Sequence, residues 1–281
     1  ASKMNNTEII KYLIKNNIYE MYYSDFLYYM LIYRNYEIME IIDKKNLKIN
    51  TDYYIITELS SHGMLDMIEW LYKRKDKYKF MINEKAMELA CSFGHINVLD
   101  WFKNNNLCIY DEECISQACY SNNIQVLNWW LQSNLELKIS KYLFEELFEA
   151  FYFNLDSINW IKINKINIEY DEDIFDNAYI DGNIGILDWW HESGMKIKYS
   201  KNILCHTTDP KSAEWILEKG YEVYFTQNSL DNIESVEMLE WWLKFLNIQN
   251  SNFKINKEKI IQNAIGYDNE ELLQYCIEND F

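Results

Sequence analysis

Apolar and polar positions follow one register along the whole chain, clearest in Gly94-His95-Ile96-Asn97-Val98-Leu99-Asp100-Trp101-Phe102. A tryptophan, or a residue standing in for it, recurs at Tyr12, Ile41, Trp70, Trp101, Trp129, Trp160, Trp189, Trp215, Trp241 and Tyr275. The intervals are 29, 29, 31, 28, 31, 29, 26, 26 and 34 residues. Counted from this anchor, the positions three and two before it are mostly apolar (Val98-Leu99, Val126-Leu127, Ile186-Leu187). The position one before is polar in every copy, as at Asp100, Asn128 and Asp188, and the anchor and its successor are apolar again, as in Trp129-Trp130 and Trp189-Trp190. Those four apolar positions share one face of a helix with a polar back. Asp100 is therefore expected to face solvent and to tolerate Ala within ~0.5 kcal/mol, whereas Trp101→Ala in a core costs ~3–5 kcal/mol.

The ends of this helix are written into the same register. Seven residues before the anchor stand Gly63, Gly94, Asn122 and Gly182, types that accept left-handed backbone and stop the preceding helix. One residue later come N-cap types: Asn35, His95, Asn123, Asn183, Asp209, Ser235 and Asn269. Five after the anchor the helix stops at Asn17, Asn46, Asn106, Asn134, Gly194 or Gly220. A short apolar-polar-apolar step follows (Leu47-Lys48-Ile49, Leu107-Cys108-Ile109, Ile166-Asn167-Ile168, Met195-Lys196-Ile197), which predicts an extended link too short for a full strand. A second helix then runs back, opening on acids such as Asp111-Glu112-Glu113 and Asp171-Glu172-Asp173, which suit a helix N-terminus. Ala90, Ala118, Ala178 and Ala264 lie near its end, where a small residue lets neighbouring helices approach.

A period near thirty residues predicts helical hairpins that bury their apolar faces only against one another. The expected fold is all-α, an elongated α-solenoid of about ten helix–turn–helix units with short extended links. It forms one domain over residues 1–281: an N-terminal cap over 1–33, central repeats over 34–265 and a C-terminal half-repeat over 266–281. The stretch Leu89-Ala90-Cys91-Ser92-Phe93-Gly94-His95-Ile96-Asn97-Val98-Leu99 resembles the ankyrin repeat, whose pattern is L-A-x-x-x-G-H-x-x-V-V/L. The resemblance covers about residues 5–281, with the copy at 84–106 nearest the consensus. The family's Thr-Pro-Leu-His falls here on Lys85-Ala86-Met87-Glu88, and one proline and seven glycines leave little for the family's β-hairpin fingers. The shortened, tryptophan-bearing version is most similar to the divergent ankyrin repeats of giant DNA viruses (mimivirus-like) and amoebae. The weight of Asn, Ile, Lys and Tyr, with Arg34 and Arg74 as the two arginines, suits an AT-rich genome of that kind.

Charge and cysteine content narrow the partners. A net charge of −17 argues against nucleic acid as the default ligand, since phosphate contacts need a basic surface, and it favours a basic partner. No apolar run approaches the ~18–20 residues that span a bilayer, and no signal peptide is evident. Ala1-Ser2-Lys3 reads as a cloning remnant before Met4. Cys91, Cys119, Cys205 and Cys276 sit in core columns of the repeat, and Cys108, Cys114 and Cys119 lack C-x-x-C spacing, which predicts free thiols, no metal and an intracellular, cytoplasmic setting, with the nucleus as the alternative. A monomer is expected.

Several stretches carry possible chemistry. Tyr12, Tyr19, Tyr22, Tyr23, Phe26, Tyr28, Tyr29 and Tyr33 make the first unit rich in aromatics, as a core-facing cap or as a docking surface. Residues 73–79, Lys-Arg-Lys-Asp-Lys-Tyr-Lys, form the one basic run, a solvated loop or a phosphate-binding patch. Glu169-Tyr170-Asp171-Glu172-Asp173 with Asp176 and Asp181 is the densest acidic cluster, but Asp176 and Gly182 stand where an EF-hand needs Gly and Glu. Gly182-Asn183-Ile184-Gly185 spells the loop of a KH domain, yet its first two residues already serve as helix stop and N-cap. The inner helices over 201–206 and 227–232 are the weakest, and a bend is expected there. His62, His95, His191 and His206 have no acid and nucleophile fixed beside them by sequence, and no catalytic residue or cofactor is nominated.

The function implied is a non-enzymatic scaffold that binds a protein, as the ankyrin resemblance also implies. Its contacts are expected at exposed link aromatics (Tyr110, Tyr170, Tyr199, Tyr224) and at the acids opening the inner helices (Asp111, Glu112, Asp171, Glu172, Asp173). The alternative is a nucleic-acid-associated protein using the loop at 73–79.

Overall fold

The computed structural model describes residues 7–16, 23–47, 54–149, 155–168, 170–249 and 253–279, with side chains omitted for 23–27 and 149. Asn17, Tyr19, Tyr22, Lys48-Ile49, Glu169, the segment 1–6 and Phe281 lie outside the described residues, as do the side chains of Tyr23 and Phe26. The described residues are helical, with no strand among them, an arrangement compatible with an α-solenoid. The chain divides into two compact units, Ala1–Leu143 with Asn154–Asn167, and Phe144–Phe153 with Ile168–Phe281.

The first unit holds α1 (Thr7–Lys15), α2 (Tyr23–Ile32), α3 (Tyr36–Lys44), α4 (Ile55–Ser61), α5 (Leu65–Tyr72), α6 (Glu84–Ser92), α7 (Ile96–Asn104), α8 (Glu113–Tyr120) and α9 (Ile124–Gln132). Most of α10 (Leu143–Glu149) belongs to the second unit, and α11 (Leu155–Ile163) to the first. The second unit continues with α12 (Asp173–Ile180), α13 (Ile184–Ser193), α14 (Pro210–Glu218), α15 (Gln227–Asp231), α16 (Val236–Ile248), α17 (Lys257–Gly266) and α18 (Glu270–Glu278). A single 3-10 turn, Ile203–His206, stands where the inner helix before α14 is expected. From Ile41 onward each anchor falls on the second element of a pair, Tyr12 lies on α1, and the two weak inner elements are the shortest, as the sequence predicts.

Chain reversals use left-handed backbone at the expected stops. Gly63, Gly94, Asn122 and Gly182 all have positive φ, as do Asn46, Asn106, Asn134, Gly194 and Gly220. Arg34, Lys165 and Asp268 occupy equivalent stops and adopt the same conformation against their intrinsic preference. At Gly63 the requirement is also steric, because a Cβ there would meet His95 Nδ1 at 2.5 Å. Glycine thus leaves room for the N-cap residue of the following pair.

That N-cap residue has two uses. Asn35, Asn183, Asp209, Ser235 and Asn269 accept from the third backbone N–H of their own helices. His95 and Asn123 make no such cap and reach back to the preceding pair. His95 Nε2 lies 3.0 Å from the Ser61 carbonyl, and Asn123 donates to the Cys91 and Ser92 carbonyls. Orphan carbonyls at one helix end are satisfied by the side chain that begins the next outer helix.

Six of the ten anchors are core, Ile41, Trp70 and Tyr275 are half-buried, and Tyr12 is exposed. Trp101, Trp129, Trp160, Trp189, Trp215 and Trp241 are all buried, as are Phe102, Trp130, Trp190 and Trp242 beside them. The polar column before the anchor differs from expectation. Asp100 does not simply face water: it accepts from Trp129 Nε1 at 2.7 Å. Asn128 accepts from Trp160 at 2.9 Å and Asp188 from Trp215 at 2.8 Å. At the last junction burial, and then the Glu240 carboxylate, raise the Tyr275 phenol above its ordinary value. A helical period shows that this residue lies off its own apolar stripe; it does not show that the next helix pair leans an indole N–H against it.

Cys91, Cys114, Cys119 and Cys276 are buried free thiols, and Cys108 and Cys205 are half-buried and free. Burial pushes the Cys119 thiol up to about 12. Among the described residues no helix is long and apolar enough to cross a membrane.

Candidate functional site

The nine residues expected to make contacts divide between the units. In the first, Asp111 and Glu112 are exposed before α8, and Asp111 accepts from the Glu113 N–H at 3.1 Å. Asp171 plays the same part before α12, accepting from the Asp173 N–H at 3.1 Å. One acid of each run therefore shapes the helix entry, while Glu112, Glu172 and Asp173 project into solvent.

The tyrosines are a correction. Tyr224 alone of the four is exposed, at 49%; Tyr110, Tyr170 and Tyr199 are half-buried. Tyr110 packs on Trp130 with ring centroids 4.9 Å apart, and Tyr170 on Trp190 at 5.0 Å. Lys138 covers Tyr110 and Lys198 covers Tyr170, their ammonium groups 4.7 and 4.8 Å from the ring centroids. Each lysine also donates to the carbonyl of the tyrosine it covers. The hydroxyls tie one link to the next: Tyr170 donates to the Lys196 carbonyl at 2.7 Å and Tyr199 to the Glu222 carbonyl at 3.0 Å. Burial raises the Tyr110 and Tyr170 phenols above their ordinary value. These half-buried tyrosines brace the links, as amphipathic side chains do. The indole N–H groups of Trp130 and Trp190, the tryptophans these rings pack on, are buried without a hydrogen-bond partner.

The second unit gathers five of the predicted residues around the start of α12. An open cleft of ≈ 500 Å³ is lined by Asp171, Glu172, Asp173, Lys198, Tyr199 and Lys201, among others. Asp173 also borders a narrower cleft of ≈ 240 Å³ with Glu145, Phe148, Asn177, Asp181 and Asn183. Asp176, between them, accepts from the Ser200 N–H at 3.0 Å, and burial raises its pKa. Beside the open cleft, Lys201 bonds Glu222 at 2.5 Å, and Tyr224 donates to the same carboxylate at 2.5 Å. The Lys201 ammonium, first among the causes, holds the Glu222 carboxyl below its ordinary value. The face is thus acidic at α12 and mixed in charge along the links. Sequence reading missed Glu145, Asn177, Lys198 and Lys201. The lysines had a signal: Tyr110 to Lys138 and Tyr170 to Lys198 are the same distance apart in the chain.

The basic run at 73–79 is largely engaged. Arg74 lies over Trp70, 4.1 Å from its centroid, and donates from Nε to Asp43 at 2.8 Å. Lys75 lies over Tyr72 and Lys77 over Tyr78. Burial pushes the Tyr78 phenol up to about 12. Of the histidines, His62 contacts the Glu58 carbonyl and His191 the Tyr221 hydroxyl at 2.8 Å. Among the described residues no group of three His, Cys, Asp or Glu side chains is placed to hold a metal ion. In the aromatic first unit Tyr28 meets Tyr29 edge to face and Tyr29 stacks on Tyr33, which is exposed.

Comparison of the sequence with family models and with curated proteins gives no match.

Proposed function

We propose that this chain is a non-enzymatic scaffold of about ten ankyrin-like repeats that binds a basic protein segment through its inner helices and links. The observation that carries the reading is the exposed acidic run Asp171-Glu172-Asp173, set between two clefts at the start of α12. Carboxylates on that rim attract and orient a basic segment, and the adjoining clefts have room for its side chains. The braced tyrosines hold the links in place, so little ordering is needed on binding. Asp111 and Glu112 offer a second, smaller acidic edge in the first unit. The net charge of −17 and the free thiols suit a basic partner met inside the cell, in the cytoplasm.

The test is titration of a fluorescent Lys/Arg-rich peptide into the protein at low and moderate salt. The variant Asp171→Asn/Glu172→Gln/Asp173→Asn is compared with Glu270→Gln/Glu271→Gln/Glu278→Gln, which removes the same charge elsewhere. The first variant is expected to weaken binding about tenfold and the second about twofold or less. Equal losses would mean attraction to net charge alone and would refute the site.

A further inference from the structure

Two stretches of the chain repeat one another at a distance of two helix pairs. Tyr110-Asp111-Glu112-Glu113 and Tyr170-Asp171-Glu172-Asp173 lie sixty residues apart, as do Trp130 and Trp190, Ser133 and Ser193, and Lys138 and Lys198. The pair between them has Ser140-Lys141-Tyr142 in its link and Ile161 after its anchor, so the acid run and the second tryptophan are both missing there. One copy belongs wholly to the first unit and the other wholly to the second.

The two copies match contact for contact. The tyrosine ring packs on the second tryptophan at 4.9 and 5.0 Å, and the lysine covers that ring while donating to the tyrosine carbonyl. The serine hydroxyl donates to the tryptophan carbonyl at 2.7 and 2.8 Å, and accepts from the N–H two residues on at 3.0 Å in both. Asp111 and Asp171 each accept from the N–H two residues on at 3.1 Å. In each copy the buried indole N–H, of Trp130 or Trp190, has no acceptor. A buried donor left unpaired opposes folding, so stability does not account for its recurrence in both copies. In the second unit Trp190 borders a narrow pocket together with Tyr170, Asp171 and Lys198. The copies differ in one acid: Glu113 is half-buried and accepts from Gln117 at 2.9 Å, whereas Asp173 is exposed.

We propose that the chain is bivalent: each unit carries one copy of the same site and takes one basic protein segment. Cationic side chains of the segment meet the acids, and a backbone carbonyl of the segment accepts from the orphan indole N–H. This rests on the reading of the chain as a scaffold for basic segments, and adds how many it holds and through which groups. The first-unit site, with one acid fewer free to bind, is the weaker of the two by about tenfold.

Calorimetric titration of the Lys/Arg-rich peptide into the full chain tests this, because it counts the segments bound. Two saturable events are expected, about tenfold apart in dissociation constant. Asp171→Asn/Glu172→Gln/Asp173→Asn is expected to remove the tighter event and leave the weaker, and Asp111→Asn/Glu112→Gln to do the reverse. The two indole N–H signals that vanish from the NMR spectrum in Trp130→Phe and Trp190→Phe are expected to shift, one with each event. One event per chain, lost on changing 171–173 alone, would overturn bivalency and leave the scaffold reading standing. No saturable binding would overturn both. Two events that leave both indole signals unmoved would place the segments elsewhere and overturn the shared site. Circular dichroism of the variants confirms that folding is unchanged.

Discussion

Replacing Asp100 with Ala distinguishes a solvent-facing helix back from a bonded junction. The carboxylate accepts from Trp129 Nε1 at 2.7 Å, and Trp129 is buried at the rim of the core. A hydrogen bond to a charged acceptor is worth ~1.5–3 kcal/mol, and a neutral one ~0.5–1.5. Asp100 is exposed, so water recovers part of the loss and the expected cost of Asp100→Ala is about 1 kcal/mol. Asn97→Ala, at an exposed position on the same helix, is expected to cost ~0.5 kcal/mol or less. Trp129→Phe removes the donor while keeping an aromatic ring. Combined in a double-mutant cycle, Asp100→Ala and Trp129→Phe are expected to show a coupling of about 1 kcal/mol. Urea unfolding monitored by circular dichroism reads all four proteins. Additive losses, with coupling within ~0.3 kcal/mol, would refute the junction bond and restore the solvent-facing reading.

Other expectations follow from the same contacts. Gly63→Ala is expected to cost ~2–3 kcal/mol in urea unfolding, since the left-handed backbone strains the new side chain and its Cβ displaces the His95 ring. Gly220→Ala, with nothing within 4 Å of the new Cβ, carries the backbone strain alone, ~1–2 kcal/mol. Tyr170→Phe is expected to lose ~0.5–1.5 kcal/mol through the Lys196 carbonyl while keeping its ring on Trp190, which tryptophan fluorescence would report as unchanged burial. The Asp188 carboxyl is depressed, first by the Trp215 indole and then by Lys219. Its contribution is therefore present above the ordinary carboxylate value of ~3.9 and lost as pH falls through the lower folded value. The gap in melting temperature between the native protein and Asp188→Asn should close over that acidic window; a gap independent of pH would contradict the assignment.

Much of the helix register was legible because it depends on local chemistry. Gly and Asn at left-handed stops, Asn, Asp and Ser at caps, and four apolar positions around each tryptophan act within a few residues of themselves. Contacts between units were harder to read. Asp100 and Trp129 are neighbours only once two helix pairs dock, and polarity at one position does not reveal what approaches it. Tyr110, Tyr170 and Tyr199 follow apolar links, and a linear pattern shows neither Trp130 nor Trp190 beneath them. At Arg34, Lys165 and Asp268 the stop position is kept without its usual residue type, so composition alone would pass over them. The acids before α8 and α12 were visible as a pattern, but the cleft formed with Glu145 and Asn177 depends on helix packing.

Hydrogen exchange on Trp101→Ala measures most directly whether helix pairs hold chiefly to their neighbours. Loss of a buried indole is expected to cost ~3–5 kcal/mol, and in a stack of neighbour contacts that loss stays local. Protection should fall in α6 through α9, around the substituted helix, while α3 within the same unit and α16 in the other keep native rates. Uniform loss of protection across α3, α7 and α16 would show one cooperative core and contradict the account.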